Sequence, residues 1–342
     1  MQLPRHELEP KVVCCNLSGQ VPWNHELLQM IQVWKETGLK GKGIVVAILD
    51  TGIDAIHPDF NGRVMNGIDF TRSFYNWGDI SGHGTHCAGI IGSNKLGIAP
   101  EVTLLPVKVI NDQGSGEISH IINGINWAID AGADVINMSL GGDGEIHPQL
   151  REAIDRAILH GLIVVCAAGN SGPYPDTVGA PGNYRACVTV GAVDRSEQVA
   201  NFSSRGLSLD CVAPGVDVLS TYPGYRYTLL SGTSMACPHV SGIAALWLEK
   251  QRRDRVPPSA QSNQIMFEQL LKNTCKKLSE TKVELTGDAP HGDAAYGAGL
   301  VQPLPLLSQD NKPGADTPDE QHPLVITISR GETVLKTITI DS

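Results

Sequence analysis

Apolar runs that read as buried strands alternate along this chain with segments that carry apolar residues at helical spacing. A run without polar alternation is typical of a strand buried on both faces, and strands that alternate with helices favour a parallel sheet. The strand-like runs are residues 44–49, 104–110, 135–140, 162–167 and 187–193, and the helix-like segments include residues 118–129 and 150–159. The pattern predicts a three-layer α/β fold in which a mostly parallel sheet lies between helices.

The length and charge of the chain narrow the classes of protein to which it can belong. Its 342 residues suffice for one large α/β domain with appendages, or for two ordinary domains. The net charge of −10 argues against a nucleic-acid partner. No run approaches the roughly 18 apolar residues of a membrane span, so a membrane partner is not expected either.

The N-terminus and the cysteines favour a cytoplasmic location. Residues 1–16 lack a cationic flank followed by an apolar core, so no secretory signal is predicted. The eight cysteines could pair in principle, but Cys166 and Cys187 lie in apolar strand-like runs. That position favours reduced, buried thiols, which are typical of the cytosol.

Asp50 and two histidines are the first candidate functional residues. Asp50 directly follows the run at residues 44–49, and functional groups of parallel sheets gather at that edge. A buried carboxylate there needs a specific partner, although an ordinary turn aspartate would give the same pattern. His83 and His86 open a glycine-rich entry into a small-residue helix. The two histidines are weak evidence for a metal site, because the glutamate of the zincin motif is missing. A catalytic histidine beside a structural one is favoured.

Ser234 lies where a loop joins the apolar helical run at residues 243–248. Unpaired N–H groups and the helix dipole favour negative charge at such a helix start. A nucleophilic serine also needs a base within hydrogen-bond reach, an acid that orients the base, and donors for the oxyanion. Asp50 and His83 are candidates for the first two roles, and Asn170, which follows the run at residues 162–167, is a candidate donor.

Three sequence blocks carry a resemblance to a known family. The order aspartate, histidine, serine along the chain is the order found in subtilisin. The blocks are Asp50-Thr51-Gly52-Ile53-Asp54, His83-Gly84-Thr85-His86 and Gly232-Thr233-Ser234-Met235-Ala236. Over about residues 20–306 the chain resembles the subtilisin-type serine proteases, and residues 122–126 and 165–170 with the short N-terminal arm are most similar to the intracellular subtilisins.

The resemblance implies a role for each of these candidates. Ser234 would attack the scissile carbonyl, His83 would carry the proton, and Asp50 would hold the imidazole. The side chain of Asn170 and the backbone N–H of Ser234 would bind the oxyanion.

The resemblance also implies which residues bind substrate. Residues 114–116 and 139–142 match the two family segments that pair with the substrate backbone as added strands. Gly179 matches the floor of the main specificity pocket. Ile118, Ile121 and Leu140 match the pocket that binds the substrate side chain three residues upstream on the substrate. Ile121 could equally belong to the core. The expected specificity is broad, with a preference for large apolar side chains. The predicted substrate-binding residues are Gly114, Ser115, Gly116, Ile118, Ile121, Ser139, Leu140, Gly141 and Gly179.

Structural calcium is the cofactor that the resemblance implies. Asp59 matches a ligand of the family's first calcium site, but residues 93–98 are shorter than the calcium loop of secreted bacterial subtilisins, so no ion is predicted there. A second site suits a hard ion that needs several oxygen ligands. Its predicted ligands are Asp210 and the carbonyls of Gly182, Tyr184 and Cys187.

The chain divides into an N-terminal extension at residues 1–18, a peptidase domain at residues 19–308, and a linker with a C-terminal β-hairpin at residues 309–342. In intracellular subtilisins a short extension lies across the active site as an inhibitor, and Leu3-Pro4 faintly resembles its motif. The extension is therefore a candidate inhibitor, and a disordered terminus is the alternative.

The expected function is that of a serine endopeptidase acting on protein and peptide substrates. A homodimer is one option for its oligomeric state, which the sequence does not decide. A binding or regulatory protein built on a protease scaffold is the alternative from another class. A lipase or esterase is disfavoured because no Gly-x-Ser-x-Gly elbow surrounds Ser234.

Overall fold

The computed structural model describes residues 11–13, 21–256, 262–278, 293–308, 324–330 and 333–340. Leu3, Pro4 and the predicted linker at residues 309–322 lie outside these ranges. The chain forms two compact units, Met1–Gln309 and Asp310–Ser342. In the described part of the chain, no helix combines the length and the apolar character needed to cross a bilayer.

The strands belong to three sheets. In chain order they are β1 (Lys11–Val13), β2 (Val45–Asp50), β3 (Ile68–Asp69), β4 (Thr103–Lys108), β5 (Val135–Met138), β6 (Ile163–Ala167), β7 (Val188–Val193), β8 (Cys211–Pro214), β9 (Val218–Tyr222), β10 (Arg226–Leu230), β11 (Leu324–Arg330) and β12 (Thr333–Ile340). The central sheet has the order β3-β4-β2-β5-β6-β7-β8, and all of its pairings are parallel. Strands β1, β10 and β9 form an antiparallel sheet, and β11 with β12 forms an antiparallel hairpin in the second unit.

The described part of the chain contains nine α-helices. They are α1 (Trp23–Leu27), α2 (Met30–Thr37), α3 (His83–Gly92), α4 (Ile118–Asp130), α5 (Pro148–Leu159), α6 (Thr233–Arg253), α7 (Asn263–Thr274), α8 (Asp293–Tyr296) and α9 (Pro303–Ser308). Of these, α3, α4, α5, α6 and α7 pack on the central sheet. Together with the parallel sheet they confirm the predicted α/β class.

Two hydrophobic clusters lie on opposite faces of the sheet and explain its burial. In β2, Val46 and Ile48 belong to the cluster that contains most of α6, whereas Ala47 and Leu49 belong to the cluster under α4 and α5. Successive side chains of a strand point to opposite faces, so an apolar strand must be covered twice. The thiols of Cys166 and Cys187 are free and fully buried in the second cluster.

Apolar residues at helical spacing predict one helix that ends at Gly38, but the structure interrupts it. They are Leu27, Leu28, Ile31 and Trp34. Gln29 adopts a left-handed conformation with φ 54°, which separates α1 from α2, and Gly38 ends α2 with φ 68°. A continuous helix would point the side chains of Leu28 and Met30 about 200° apart. The interruption lets both side chains enter the same core cluster.

Candidate active site

Asp50 ends strand β2 in the middle of the sheet, between β4 and β5. Its side chain is fully buried, and Oδ1 accepts hydrogen bonds from the Thr51 N–H and from Nδ1 of His83, both at 2.7 Å. The N–H groups of Val109 and Ile110 donate to the Asp50 carbonyl and fix the end of the strand. The specific partner that a buried carboxylate requires is therefore His83.

His83 is the first residue of α3, which approaches the end of β2 very closely. A Cβ atom at Gly84 would lie 2.2 Å from the carbonyl oxygen of Gly52, so this approach requires glycine. Because a carboxylate only accepts hydrogen bonds, Nδ1 of His83 carries the proton toward Asp50. The neutral imidazole then has its lone pair on Nε2.

Ser234 is the second residue of α6. Its hydroxyl donates to the Ser139 carbonyl at 3.2 Å, and the Ser139 hydroxyl donates to the Ser234 carbonyl at 2.9 Å. The thiol of Cys87, on α3, donates to the same carbonyl at 3.4 Å and lies 4.0 Å from Nδ1 of His83. These contacts bring His83 and Ser234 together at the N-terminal end of a long helix, whose dipole favours negative charge.

Asn170 follows strand β6 and contacts the start of the same helix. Its Oδ1 accepts hydrogen bonds from the backbone N–H and from the hydroxyl of Thr233, both at 2.9 Å. The carboxamide oxygen is thereby fixed toward Thr233, and the Nδ2 group points away from it. The predicted oxyanion donor therefore lies beside the residue that precedes Ser234.

His86 has the environment of a structural histidine. It is fully buried, and its Nε2 lies 3.1 Å from one carbonyl of β9 and 3.1 Å from one carbonyl of β10. Burial lowers the pKa of His86 to about 3, so the ring stays neutral. Among the residues that the structure describes, the group of potential metal ligands is Asp50, His83 and Cys87, and His86 is outside it.

Two of the predicted substrate-binding segments meet in the structure. Gly142 and Ala180 donate their N–H groups to each other's carbonyls at 2.9 Å, which joins the segment after β5 to the segment before β7. A Cβ atom at Gly179 would lie 2.7 Å from the Gly142 carbonyl oxygen. Gly141 and Gly179 therefore lie on adjacent segments, and Ser139, at the start of the first one, contacts Ser234.

The other predicted substrate-binding residues differ in exposure. Gly114 and Ser115 lie in a tight loop whose backbone groups bond to Asn111, and Gly116 follows them. Ile118 is 37% exposed at the start of α4. Ile121 and Leu140 are buried in the core cluster under α4 and α5. Ile121 thus has the environment that the core alternative predicts, while Ile118 is accessible to a ligand.

The residues predicted to bind a second cation do not fit one in their present arrangement. Nζ of Lys272, on α7, lies 2.9 Å from Oδ1 of Asp210, and the Thr189 N–H donates to Oδ2 at 2.7 Å. The Thr189 hydroxyl donates to the Gly182 carbonyl at 2.6 Å. The Tyr184 carbonyl accepts the N–H of Cys187 at 2.9 Å. The carboxylate of Asp210 is therefore already paired with an ammonium group and a backbone N–H, and the Gly182 and Tyr184 carbonyls already accept hydrogen bonds.

A similar ion pair is found at the first family site. Nζ of Lys95 lies 3.4 Å from Oδ1 of the buried Asp59. At both aspartates that match cation ligands of the family, a lysine of the chain supplies a positive charge.

Calcium removal is expected to leave the thermal stability of the chain unchanged. Replacing Lys272 by methionine should lower the melting temperature by about 2–4 °C, because Asp210 would lose a charged hydrogen-bond partner that is itself 43% exposed. Melting in EDTA and in millimolar calcium, followed by circular dichroism, measures both effects. A wild-type melting temperature that falls in EDTA and recovers with calcium would show that a calcium site exists despite Lys272.

Comparisons with known proteins identify the family. The model of the subtilase family matches residues 41–299. The chain is 41% identical to "Intracellular serine protease" of Paenibacillus polymyxa over 285 residues, which covers 79% of this chain and 85% of that protein. It is 42% identical to "Subtilisin DY" of Bacillus licheniformis over 288 residues, covering 82% of this chain and 96% of that protein.

A further curated relative and a solved structure agree with this result. "Major intracellular serine protease" of Bacillus subtilis is 40% identical over 269 residues, covering 75% of this chain and 83% of that protein. The crystal structure of a cold adapted subtilisin-like serine proteinase matches with a TM-score of 0.65 at 33% identity, covering 79% of this chain and 92% of that one. The matched region contains the aspartate, the histidine and the serine that the fold brings together, and the chain therefore belongs to the subtilase family and is a subtilisin-like serine endopeptidase.

Proposed function

We propose that this endopeptidase uses Ser234 as its nucleophile, His83 as the general base and Asp50 as the acid that orients the base. The observation that carries the proposal is the 2.7 Å hydrogen bond between His83 and a fully buried Asp50. It is supported by Cys87, which contacts both the ring of His83 and the backbone of Ser234.

In the first step, the Ser234 hydroxyl oxygen attacks the carbonyl carbon of the scissile bond while Nε2 of His83 takes the hydroxyl proton. The carbonyl π electrons move onto oxygen, and Nδ2 of Asn170 with the N–H of Ser234 donates to that oxyanion. When the intermediate collapses, the C–N bond breaks and His83 gives its proton to the leaving amine. Water then hydrolyses the acyl-enzyme by the same sequence of proton transfers.

The pH dependence of activity follows from the environment of His83. Burial by itself would lower the pKa of His83, but the charge of Asp50, the contact with Cys87 and the hydrogen bond that His83 donates to Asp50 raise that pKa well above 6.5. Because the base must be neutral to accept the Ser234 proton, activity is lost as the pH falls through the raised pKa. The acidic midpoint of a kcat/KM profile is therefore expected above pH 6.5, and Asp50→Asn should move it to lower pH. A wild-type midpoint below 6.5 would contradict this account of the site.

The proposed specificity is broad, with large apolar side chains preferred at the cleaved residue and apolar groups three residues upstream. Gly179 allows the close backbone approach to Gly142 and leaves no side chain on the segment next to Gly141. The exposed Ile118 supplies apolar surface at the start of α4.

We also propose that the N-terminal arm inhibits the enzyme. Support comes from β1, which pairs antiparallel with β10 so that Lys11 lies opposite Leu229 and Val13 lies opposite Tyr227. β10 ends at Leu230, four residues before Ser234 and shortly before the start of α6. Lys11, which follows residues 1–10 in the chain, therefore pairs with the part of β10 that is nearer to Ser234 in sequence.

Cleavage of a peptide library by three chains tests specificity and inhibition together. The chains are the intact one, one beginning at Lys11 and one beginning at Gly19. We expect one shared profile rich in large apolar residues, and a rate about tenfold higher in both shortened chains. That factor corresponds to a tethered segment at about 1 mM effective concentration with a Kd near 0.1 mM. Equal rates in all three chains would contradict inhibition by the arm, and a preference for acidic residues would contradict the pocket assignment.

We propose a cytoplasmic location for the enzyme. Two of the relatives reported above carry "intracellular" in their names, and the thiols of Cys166 and Cys187 are free. Unpaired buried cysteines are typical of proteins that work under reducing conditions.

A further inference from the structure

Asp79 is a buried carboxylate whose two oxygens accept four hydrogen bonds. The side chain is 5% exposed, and it lies in the loop that precedes α3. Oδ1 accepts from the Thr51 hydroxyl at 2.9 Å and from the Gly82 N–H at 2.8 Å. Oδ2 accepts from the N–H of Thr85 at 2.9 Å and from its hydroxyl at 2.6 Å. An ionised carboxylate has about four acceptor positions, so all of them are used.

These four donors lie on the two elements that carry the acid and the base. Thr51 directly follows Asp50 at the end of β2. Gly82 directly precedes His83, and Thr85 lies in the first turn of α3. Asp79 therefore ties the end of the strand to the start of the helix, on either side of the hydrogen bond between Asp50 and His83.

The two residues before Asp79 strengthen the same connection. The carbonyl of Trp77 accepts the Ile53 N–H at 3.2 Å. The carbonyl of Gly78 accepts from Nζ of Lys108 at 3.1 Å, and the same ammonium donates to the Thr51 carbonyl at 2.6 Å. Trp77 and Asp79 thus bind the segment that follows Asp50 directly, and Gly78 does so through Lys108. Asp79 is the residue whose side chain also reaches α3.

We infer that Asp79 is a positioning residue for the proposed reaction, which holds His83 in the orientation that its hydrogen bond to Asp50 requires. This inference rests on the proposed roles of Asp50 and His83. Asparagine has the same shape as aspartate, but its NH2 group would face two donors in place of an acceptor. The isosteric substitution therefore breaks one side of the connection without leaving a cavity.

The titratable groups that surround His83 determine what the substitution does to its pKa. They are Asp50, Asp79, His86, Cys87 and Tyr222. Burial raises the pKa of Cys87 and of Tyr222 and lowers that of His86, so these three groups stay neutral near pH 7. Burial raises the pKa of Asp79, and its hydrogen bonds with Gly82 and Thr85 oppose that rise. Loosening the contact between His83 and Asp50 favours the neutral imidazole. The acidic midpoint of the kcat/KM profile therefore moves to lower pH.

The test compares Asp79→Asn with Asp69→Asn in the full-length chain. Asp69 is a suitable control because its carboxylate also accepts several hydrogen bonds, from the N–H and hydroxyl of Thr71 and from the N–H of Ser73. Active sites are counted by fluorophosphonate labelling, and kcat is expressed for each labelled site. For Asp79→Asn we expect kcat to fall about 10–100-fold, with KM nearly unchanged and the acidic midpoint shifted down. Asp69→Asn should keep the wild-type kcat and midpoint.

Two outcomes of this comparison would overturn the inference. One is a wild-type kcat for each labelled site and an unmoved midpoint in Asp79→Asn. The other is an equal loss in Asp69→Asn, which would indicate a general effect on the fold. If Asp79→Asn does not fold, Thr51→Val and Thr85→Val each remove one hydroxyl donor, and unchanged kcat in both would overturn the inference. A wild-type chain that is never labelled at Ser234 would instead contradict the proposed function itself.

Discussion

Replacing Ser234 by alanine is expected to lower kcat about 10⁶-fold, the loss known for the corresponding substitution in subtilisin. The reason is chemical, because no other group would form the covalent acyl-enzyme. The fold should survive, since the hydroxyl makes a single 3.2 Å hydrogen bond to the Ser139 carbonyl. The bond from the Ser139 hydroxyl goes to the backbone of residue 234 and is retained in alanine.

Fluorophosphonate labelling gives a second measurement of the same substitution. The wild-type chain should be labelled at Ser234, and Ser234→Ala should not be labelled. Ser241→Ala is the matched control, because Ser241 lies on the same helix and its buried hydroxyl donates to Asn137. It should lose some stability and keep both its label and its kcat. Label or substantial activity in Ser234→Ala would contradict the assignment of the nucleophile.

The same experiment separates the protease from a binding protein built on a protease scaffold. A folded wild-type chain that neither cleaves peptides nor reacts with the probe would favour the binding protein. The 2.7 Å contact of His83 with Asp50 argues against that alternative, because a binding surface gives no reason to bury a carboxylate against an imidazole.

The sheet and the central residues of the site could be predicted because their signals are local. Continuous apolar runs indicate strands covered on both faces, and the next polar residue then lies at the functional edge of the sheet. Asp50 and Asn170 were found in this way, and Ser234 was found because it opens a helix. The family resemblance assigned their roles, which the geometry of the described residues alone suggests only in part.

Other features depend on tertiary contacts that no local pattern encodes. Asp79 is one of several aspartates in polar loops, and only the folded chain brings donors from both Thr51 and Thr85 to its carboxylate. Lys272, which lies beside Asp210, comes from α7 and is remote from Asp210 in sequence. The sequence around the predicted cation ligands therefore does not indicate this contact. The interruption at Gln29 likewise follows from the packing of two neighbouring side chains into one core.

Replacing Asn170 by alanine is expected to lower kcat about 10²–10³-fold with little change in substrate affinity, a loss known from the oxyanion asparagine of subtilisin. In the proposed mechanism the amide stabilises charge that develops only in the transition state, so its removal should affect kcat far more than KM. The two hydrogen bonds from Thr233 to Oδ1 fix the carboxamide before substrate arrives, which gives the amide its preorganised direction.

Thr233→Val tests how much of the effect of Asn170 depends on the orientation of its side-chain amide, because this variant keeps the amide and removes one of the groups that orient it. It removes the hydroxyl donor and keeps the backbone N–H donor, so its loss in kcat should be smaller than that of Asn170→Ala. Because Thr233 acts through Asn170, the double variant should be no slower than Asn170→Ala alone. Steady-state kinetics of the three variants on one peptide substrate, with folding checked by circular dichroism, tests this order. Additive losses would show that Thr233 acts separately, and a wild-type kcat in Asn170→Ala would exclude Asn170 from the oxyanion site.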